Sequence, residues 1–224
     1  MRTRCSTGNA LPDPSTTEAA RRLLLEGLAA LPTRVNPGQV EALLLLARLL
    51  ETWSRRMNLT AHRSLDGIVR HLLIEAVALA EVVPSVRSLA DLGSGAGFPG
   101  LPIAVLRPEC QLTLVEARRR RHHFQRAAVR LLRLRNARLE LGRAEQIEAR
   151  PHAAVIAQAV APPERVLHWM LRWAEPGGLL LLPGSEPAPE VPELPDVSFQ
   201  GCLRYRVPCG GRLRTLWVGR LKST

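Results

Sequence analysis

The sequence predicts an α/β fold: a mostly parallel sheet that ends in a C-terminal antiparallel hairpin, preceded by a helical extension. Three observations predict it. Before Pro84 apolar residues recur at helical spacing, and after it short apolar runs alternate with amphipathic stretches. The last runs are two β-like segments joined by Pro208-Cys209-Gly210-Gly211, a hairpin signal. Alternating strands and helices imply a parallel sheet with both faces covered, because each crossover helix must lie on a face. The expected division is 1–84 for a tail and helical extension, and 85–224 for the sheet-bearing domain.

The elements follow in order. Residues 1–14 read as a tail. Ser15-Thr16-Thr17-Glu18 has capping-box spacing and opens a helix to about Ala30. Asn36-Pro37-Gly38-Gln39 opens a second, with a cap residue, proline in the first turn and glutamine three positions on. Leucines through 43–50 carry it to near Met57. A third helix is expected over 66–82, with apolar residues at 68, 69, 72, 73, 77 and 80. Then come a strand at 88–92, a helix at 101–106, a strand at 111–115, a helix at 118–134, and strands at 137–141 and 153–157. A helix over 164–173 and the turn Glu175-Pro176-Gly177-Gly178 lead into a strand at 179–182. Five prolines within 183–196 mark an extended loop, and the runs 199–207 and 212–218 make the hairpin.

Composition narrows the function. With 224 residues, 46% hydrophobic and 23% charged, the chain supports a normal core, which excludes wholesale disorder. No apolar run approaches the ~18–20 residues of a membrane span, and the first fifteen residues hold no apolar signal core. A cytoplasmic protein with no membrane partner is expected. The formal charge is +11, and Lys222 is the only lysine among 31 basic residues. Guanidinium forks suit phosphate, so nucleic acid is the expected partner, against the alternative of a GC-rich coding bias. Between 118 and 150 eleven arginines face three acids. Arg119, Arg120, Arg126 and Arg130 are the candidate RNA contacts within that cluster. His122 and His123 read as polar surface of the same helix, and Trp169 and Trp173 as core. Cys5, Cys110, Cys202 and Cys209 form no CxxC pair, so reduced thiols and no metal are expected.

The most informative stretch is Asp91-Leu92-Gly93-Ser94-Gly95-Ala96-Gly97-Phe98-Pro99-Gly100, where the first strand turns into a helix. Glycines there permit positive φ and close approach of a ligand to the backbone. Gly95, Gly97 and Gly100 spell GxGxxG, which admits a dinucleotide, and Glu116, nineteen residues after Gly97, is placed for ribose hydroxyls in either kind of site. Asp91 discriminates. A carboxylate two residues before the first glycine would face a pyrophosphate at a cost of roughly 4 kcal/mol at an effective dielectric near 20. Pro99 and Pro102 also remove backbone donors a pyrophosphate would use. S-adenosyl-L-methionine carries a sulfonium and an ammonium, which a carboxylate suits.

These residues resemble a known family. Asn58-Leu59-Thr60, Arg70-His71, the block from Asp91 to Glu109, Leu112 to Ala117, Gly142-Arg143-Ala144-Glu145 and Ala159-Val160-Ala161-Pro162 are similar to motifs of the ribosomal RNA small subunit methyltransferase G family, also called glucose-inhibited division protein B. The resemblance runs from about Asn58 to Val218. It implies a class I, Rossmann-like methyltransferase fold and S-adenosylmethionine-dependent methylation of ring nitrogen 7 of a guanine in 16S ribosomal RNA. The partner is then 16S RNA or the small ribosomal subunit, with the protein acting as a monomer. Gly93 and Phe98 would touch the cofactor, together with Asp91, Gly95 and Gln158. Glu116 would hold its ribose, and Ala144 and Glu145 would border its adenine. Gln158 stands where the family has the arginine of Ser-Arg-Ala, Pro183 where it has lysine before glycine, and Ile74 near the place of an aspartate. The Gln158 and Pro183 exchanges define the alternative reading, a relative that binds cofactor or RNA without turnover. A catalytic base is not assigned, because guanine nitrogen 7 carries a lone pair and no proton.

Overall fold

The computed structural model describes residues 14–223, so of the expected tail only Pro14, which opens the first helix, falls within them. Five strands pair in parallel: β1 (Ser88–Leu92), β2 (Gln111–Glu116), β3 (Ala137–Leu141), β4 (His152–Ile156) and β5 (Ala174–Ser185). β6 (Val197–Arg206) and β7 (Leu213–Leu221) form the hairpin, and β7 pairs antiparallel with β5. The order across the sheet is β3-β2-β1-β4-β5-β7-β6. The chain builds outward from β1 to β3, then returns to the other side of β1 with β4. That reversal opens a crevice beyond the carboxyl ends of β1 and β4, the place where open α/β sheets bind ligands.

Side chains alternate between two cores, as the strand period requires. Leu89, Leu112, Leu114, Ile156 and Leu181 face one layer, and Ala90, Leu92, Val115, Val155 and Leu180 face the other. The first layer is filled by α1 (Pro14–Ala29), α2 (Pro37–Ser54), α3 (Leu65–Ile68), α4 (Ile74–Val82), α5 (Gly100–Leu106) and α6 (Arg119–Leu131). The second is covered by α7 (Pro163–Trp173) through Val166, Leu167, Met170 and Trp173. The helical extension thus shares a core with the sheet. Its α2 is also clamped by hydrogen bonds. Asn36 and Gln39 form the expected capping box at 2.9 and 3.0 Å, and the Gln39 amide donates to Val105 O and Leu106 O at the end of α5. Asn36→Ala is expected to cost about 1 kcal/mol, a thermal midpoint lower by roughly 2–4 °C for a chain of this size. A scanning calorimetry trace coincident with wild type would refute that role.

β5 already begins at Ala174, so the turn expected at Glu175-Pro176-Gly177-Gly178 lies inside it as an irregularity, where the pairing register with β4 shifts between His152 and Ala154. Three further boundaries differ from expectation for physical reasons. The helix expected over 66–82 is broken by a π-helical turn, Val69–Leu73, between α3 and α4. Such wide turns gather at functional sites, and this one carries Arg70 and His71. The helix expected to reach 134 stops at Leu131, because Arg133 turns to φ +52°. Leu134 N then donates to Val129 O and Arg133 N to Arg130 O, the paired bonds of a Schellman cap. β5 runs on through Pro183 to Ser185, past the end of β4, because β7 continues to pair with it there.

Candidate active site

The crevice is lined by the strand-to-turn segment after β1, whose backbone is held in place from several sides. Gly93, Gly95 and Gly97 have φ of +69°, +59° and +82°, a left-handed run closed to ordinary side chains. Gly93 N and Ser94 N both donate to Val115 O, at 2.8 and 3.1 Å, which curls the turn over the end of β2. The Gln125 amide, on the buried face of α6, donates to Ser94 Oγ and Gly95 O, both at 2.8 Å. A Cβ on Gly93 would lie 2.0 Å from Val160 Cγ2, so the turn and the segment after β4 touch there.

Two acids flank this turn. Asp91 is 1% exposed near the end of β1, and its Oδ2 accepts from Gly100 N at 2.9 Å. A Cβ on Gly100 would stand 2.7 Å from that oxygen, which explains the glycine. Burial pushes the Asp91 carboxyl up to about 7, the Gly100 N–H pulls it back, and nearby Glu116 adds to the rise. Glu116 ends β2 and is also buried. Its two oxygens accept from Gly95 N at 2.9 Å and from Arg118 N at 2.7 Å, with Arg121 at 3.9 Å. A carboxylate has about four lone-pair sites, so Glu116 retains acceptors for hydroxyl donors.

The other expected site residues converge on the same crevice. Gly142 N donates to Glu116 O at 3.1 Å, bringing the Ala144-Glu145 segment beside the end of β2. Ala144 is buried, and its carbonyl accepts from Trp173 Nε1 at 3.0 Å, while Glu145 lies 3.7 Å from Arg143. Gln158, two residues past β4, lines a small cavity with His71, Glu75, Phe98 and Pro99. His71 stacks on His62 with centroids 4.7 Å apart, and burial lowers its pKa, reinforced by His62, Arg212 and Arg70 against an opposing Glu75. Pro183 pairs with Leu216 inside the sheet, so it is part of β5 and not of a loop.

Arg119, Arg120, Arg126 and Arg130 are all exposed, as expected of RNA contacts. His122 corrects the surface reading: it is buried, its Nδ1 has no partner, and its pKa is lowered, chiefly by burial. His123 is exposed. Trp173 is wholly buried, in agreement with the core reading, and Trp169 is partly buried beneath Arg165. Gln125 escaped the sequence reading. Its signal was a polar residue beside Phe124 and in reach of the apolar face that carries Phe124 and Ala128.

Fold and crevice together define a class I, Rossmann-like methyltransferase. Among solved structures, a SAM-dependent methyltransferase from Aquifex aeolicus is similar with a TM-score of 0.53 at 11% identity, over 76% of this chain and 98% of that one. TYW2 from M. jannaschii, solved in complex with AdoMet, is similar with a TM-score of 0.51 at 13% identity, over 67% and 75%. The family narrows the class. The family model described as rRNA small subunit methyltransferase G (GidB) matches residues 39–214, and the chain belongs to that family. Proteins named ribosomal RNA small subunit methyltransferase G from Dichelobacter nodosus and Neisseria meningitidis are 35% and 32% identical to it. These matches cover 92% and 83% of this chain, and 97% and 90% of the relatives.

Proposed function

We propose that the protein transfers a methyl group from S-adenosylmethionine to ring nitrogen 7 of a guanine in 16S ribosomal RNA, in the cytoplasm. The observation that carries this reading is the buried Asp91 carboxyl beside a left-handed glycine turn. A cationic ligand repays the desolvation of that acid, whereas a diphosphate would add to it. In this reading residues 85–224 hold the cofactor. Asp91 answers its positive charge, Gly93 and Gly95 leave room for it on the backbone, and Phe98 borders it. Glu116 accepts from its ribose, and Ala144 and Glu145 border its adenine.

Bound S-adenosylmethionine supplies an electrophilic methyl group. The protein's own groups need only align the base with it, since nitrogen 7 offers a free lone pair and has no proton to remove. Burial lowers the His71 pKa, which disfavours a positive charge near Phe98 and Gln158. All the proposed contacts come from one chain and none needs a metal, so a monomer suffices.

Incubation of the purified protein with methyl-labelled S-adenosylmethionine and undermethylated small subunits tests the reading. Label is expected in 16S RNA, in a nucleoside that co-migrates with 7-methylguanosine. Label in a different nucleoside would overturn the assignment to nitrogen 7. Cofactor binding without any label transfer would turn the reading into that of a silent relative.

A further inference from the structure

A second concavity lies outside the crevice, between the end of α2 with its following loop and the first turn of α6. It encloses about 510 Å³, and its lining includes Arg55, Arg56 and Arg63 on one wall and Arg118 to Arg121 on the other, with no carboxylate among the lining residues. We propose that this groove seats the phosphodiester backbone of the RNA substrate, anchored by Arg56, Arg119 and Arg120 and completed by the Ser54 hydroxyl. The proposal rests on the methyltransferase reading and adds a location to it.

Four observations converge. First, the arginines differ in their duties. Arg63 braces its own loop, donating to Ser54 O and to Asn58 Oδ1 at 2.7 Å. Arg55 lies 3.8 Å from Glu51, and Arg121 lies 3.9 Å from Glu116. The side chains of Arg56, Arg119 and Arg120 have no hydrogen-bond or ion-pair partner among the described residues, so the fold makes no use of them. Second, three consecutive arginines begin α6 and a fourth, Arg118, caps it; the first turn has no acidic residue and the cap makes no side-chain hydrogen bond. Cations there repel the positive end of the helix dipole, and the uncapped N–H groups want an acceptor. A bound anion answers both.

Third, Ser54 lines the groove, is 1% exposed, and its hydroxyl has no partner among the described residues. A buried hydroxyl without a partner is costly unless a ligand atom completes it, and a phosphate oxygen is an acceptor of the right kind. Fourth, the groove adjoins the crevice. The Arg118 N–H that opens α6 donates to the Glu116 carboxylate, so a backbone seated here passes beside the adenosine end of the proposed cofactor site. Arg126 and Arg130 do not line the groove. They are peripheral in this proposal.

The test compares the full-length protein with two variants, Arg56→Ala/Arg119→Ala/Arg120→Ala and Arg126→Ala/Arg130→Ala. The probe is undermethylated 16S RNA, bound over a range of KCl concentrations. The triple variant is expected to bind roughly 30- to 100-fold more weakly near 0.1 M salt, with a log–log salt slope shallower by about 2–3. Its thermal midpoint and S-adenosylmethionine affinity should match wild type, because these side chains make no hydrogen bond or ion pair among the described residues. Ser54→Ala should lower RNA affinity severalfold without lowering stability. Wild-type affinity and slope in the triple variant would overturn the proposal, as would an equal loss in the Arg126/Arg130 variant. If wild type binds RNA through the groove yet transfers no methyl group, the groove stands and the methyltransferase reading falls.

Discussion

Gly93→Val is expected to weaken S-adenosylmethionine binding by at least about a hundredfold, near 3 kcal/mol, and to lower stability with it. Two costs act at that position. The backbone sits at φ +69°, where a β-branched residue is strained by more than the ~1–2 kcal/mol of an ordinary side chain. The new Cβ would also stand 2.0 Å from Val160 Cγ2 and 3.0 Å from Val160 Cβ, so one of the two segments must move. Movement of the turn would displace it from Val115 O, to which Gly93 N and Ser94 N are bonded, and movement of the Val160 segment would reshape the facing wall of the crevice. Adding Val160→Ala removes the closest contact but leaves the strained φ. Stability should recover in part, and affinity less. Titration calorimetry showing wild-type affinity in the Gly93→Val chain would remove this turn from the cofactor site.

Much of this arrangement is legible in the sequence, because it depends on residue types at short range. β1 and β3 begin and end where their apolar or alternating runs do, and the glycine turn shows itself by its glycines. The capping box at Asn36 and Gln39 is likewise local. What escapes is the part decided at long range. The π-helical turn at Val69–Leu73 uses residues that suit an ordinary helix, and its surroundings, α1 and α2 packed against it, are set by the tertiary fold. The extension of β5 to Ser185 depends on β7, some thirty residues later. The groove shows the same division. Arg118 to Arg121 announce themselves as charge, but only the tertiary fold brings Arg56 and Ser54 opposite them.

The charge pattern accounts for both partners at once. Asp91 and Glu116 are the buried acids at the sheet's crevice, where a cationic donor belongs. The unpaired arginines lie one turn outside it, where a polyanion belongs. Glu116 joins the two regions, since its carboxylate accepts from the turn at Gly95 N and from the start of α6 at Arg118 N. A shift in either partner's seat is therefore expected to be felt at the other through one side chain, and Glu116→Gln should weaken both ligands.

Asp91→Asn should separate what the acid does for the ligand from what it costs the fold. Its carboxyl rises from an ordinary 3.8 to about 7 on burial. The folded protein therefore holds a proton that the unfolded chain releases, and this group's stabilising contribution is present below 3.8 and lost as pH rises through about 7. Above pH 7 the ionised acid costs the ligand-free fold up to ~4 kcal/mol by linkage. Asparagine keeps an oxygen for Gly100 N and carries no charge, so the variant should melt higher than wild type at pH 8.5, by far less at pH 5. Its cofactor affinity should fall by roughly 4 kcal/mol, on the order of a thousandfold, the worth of one charge pair at an effective dielectric near 20. In wild type the cofactor selects the ionised acid. Affinity should thus be flat above pH 7 and drop towards tenfold per unit below it, with up to about one proton released on binding near pH 6. Calorimetry in buffers of different ionisation enthalpy measures that proton directly. A pH-independent affinity, or a variant that binds as well as wild type, would mean that Asp91 is only the brace for Gly100 and that the positive charge of the donor is answered elsewhere.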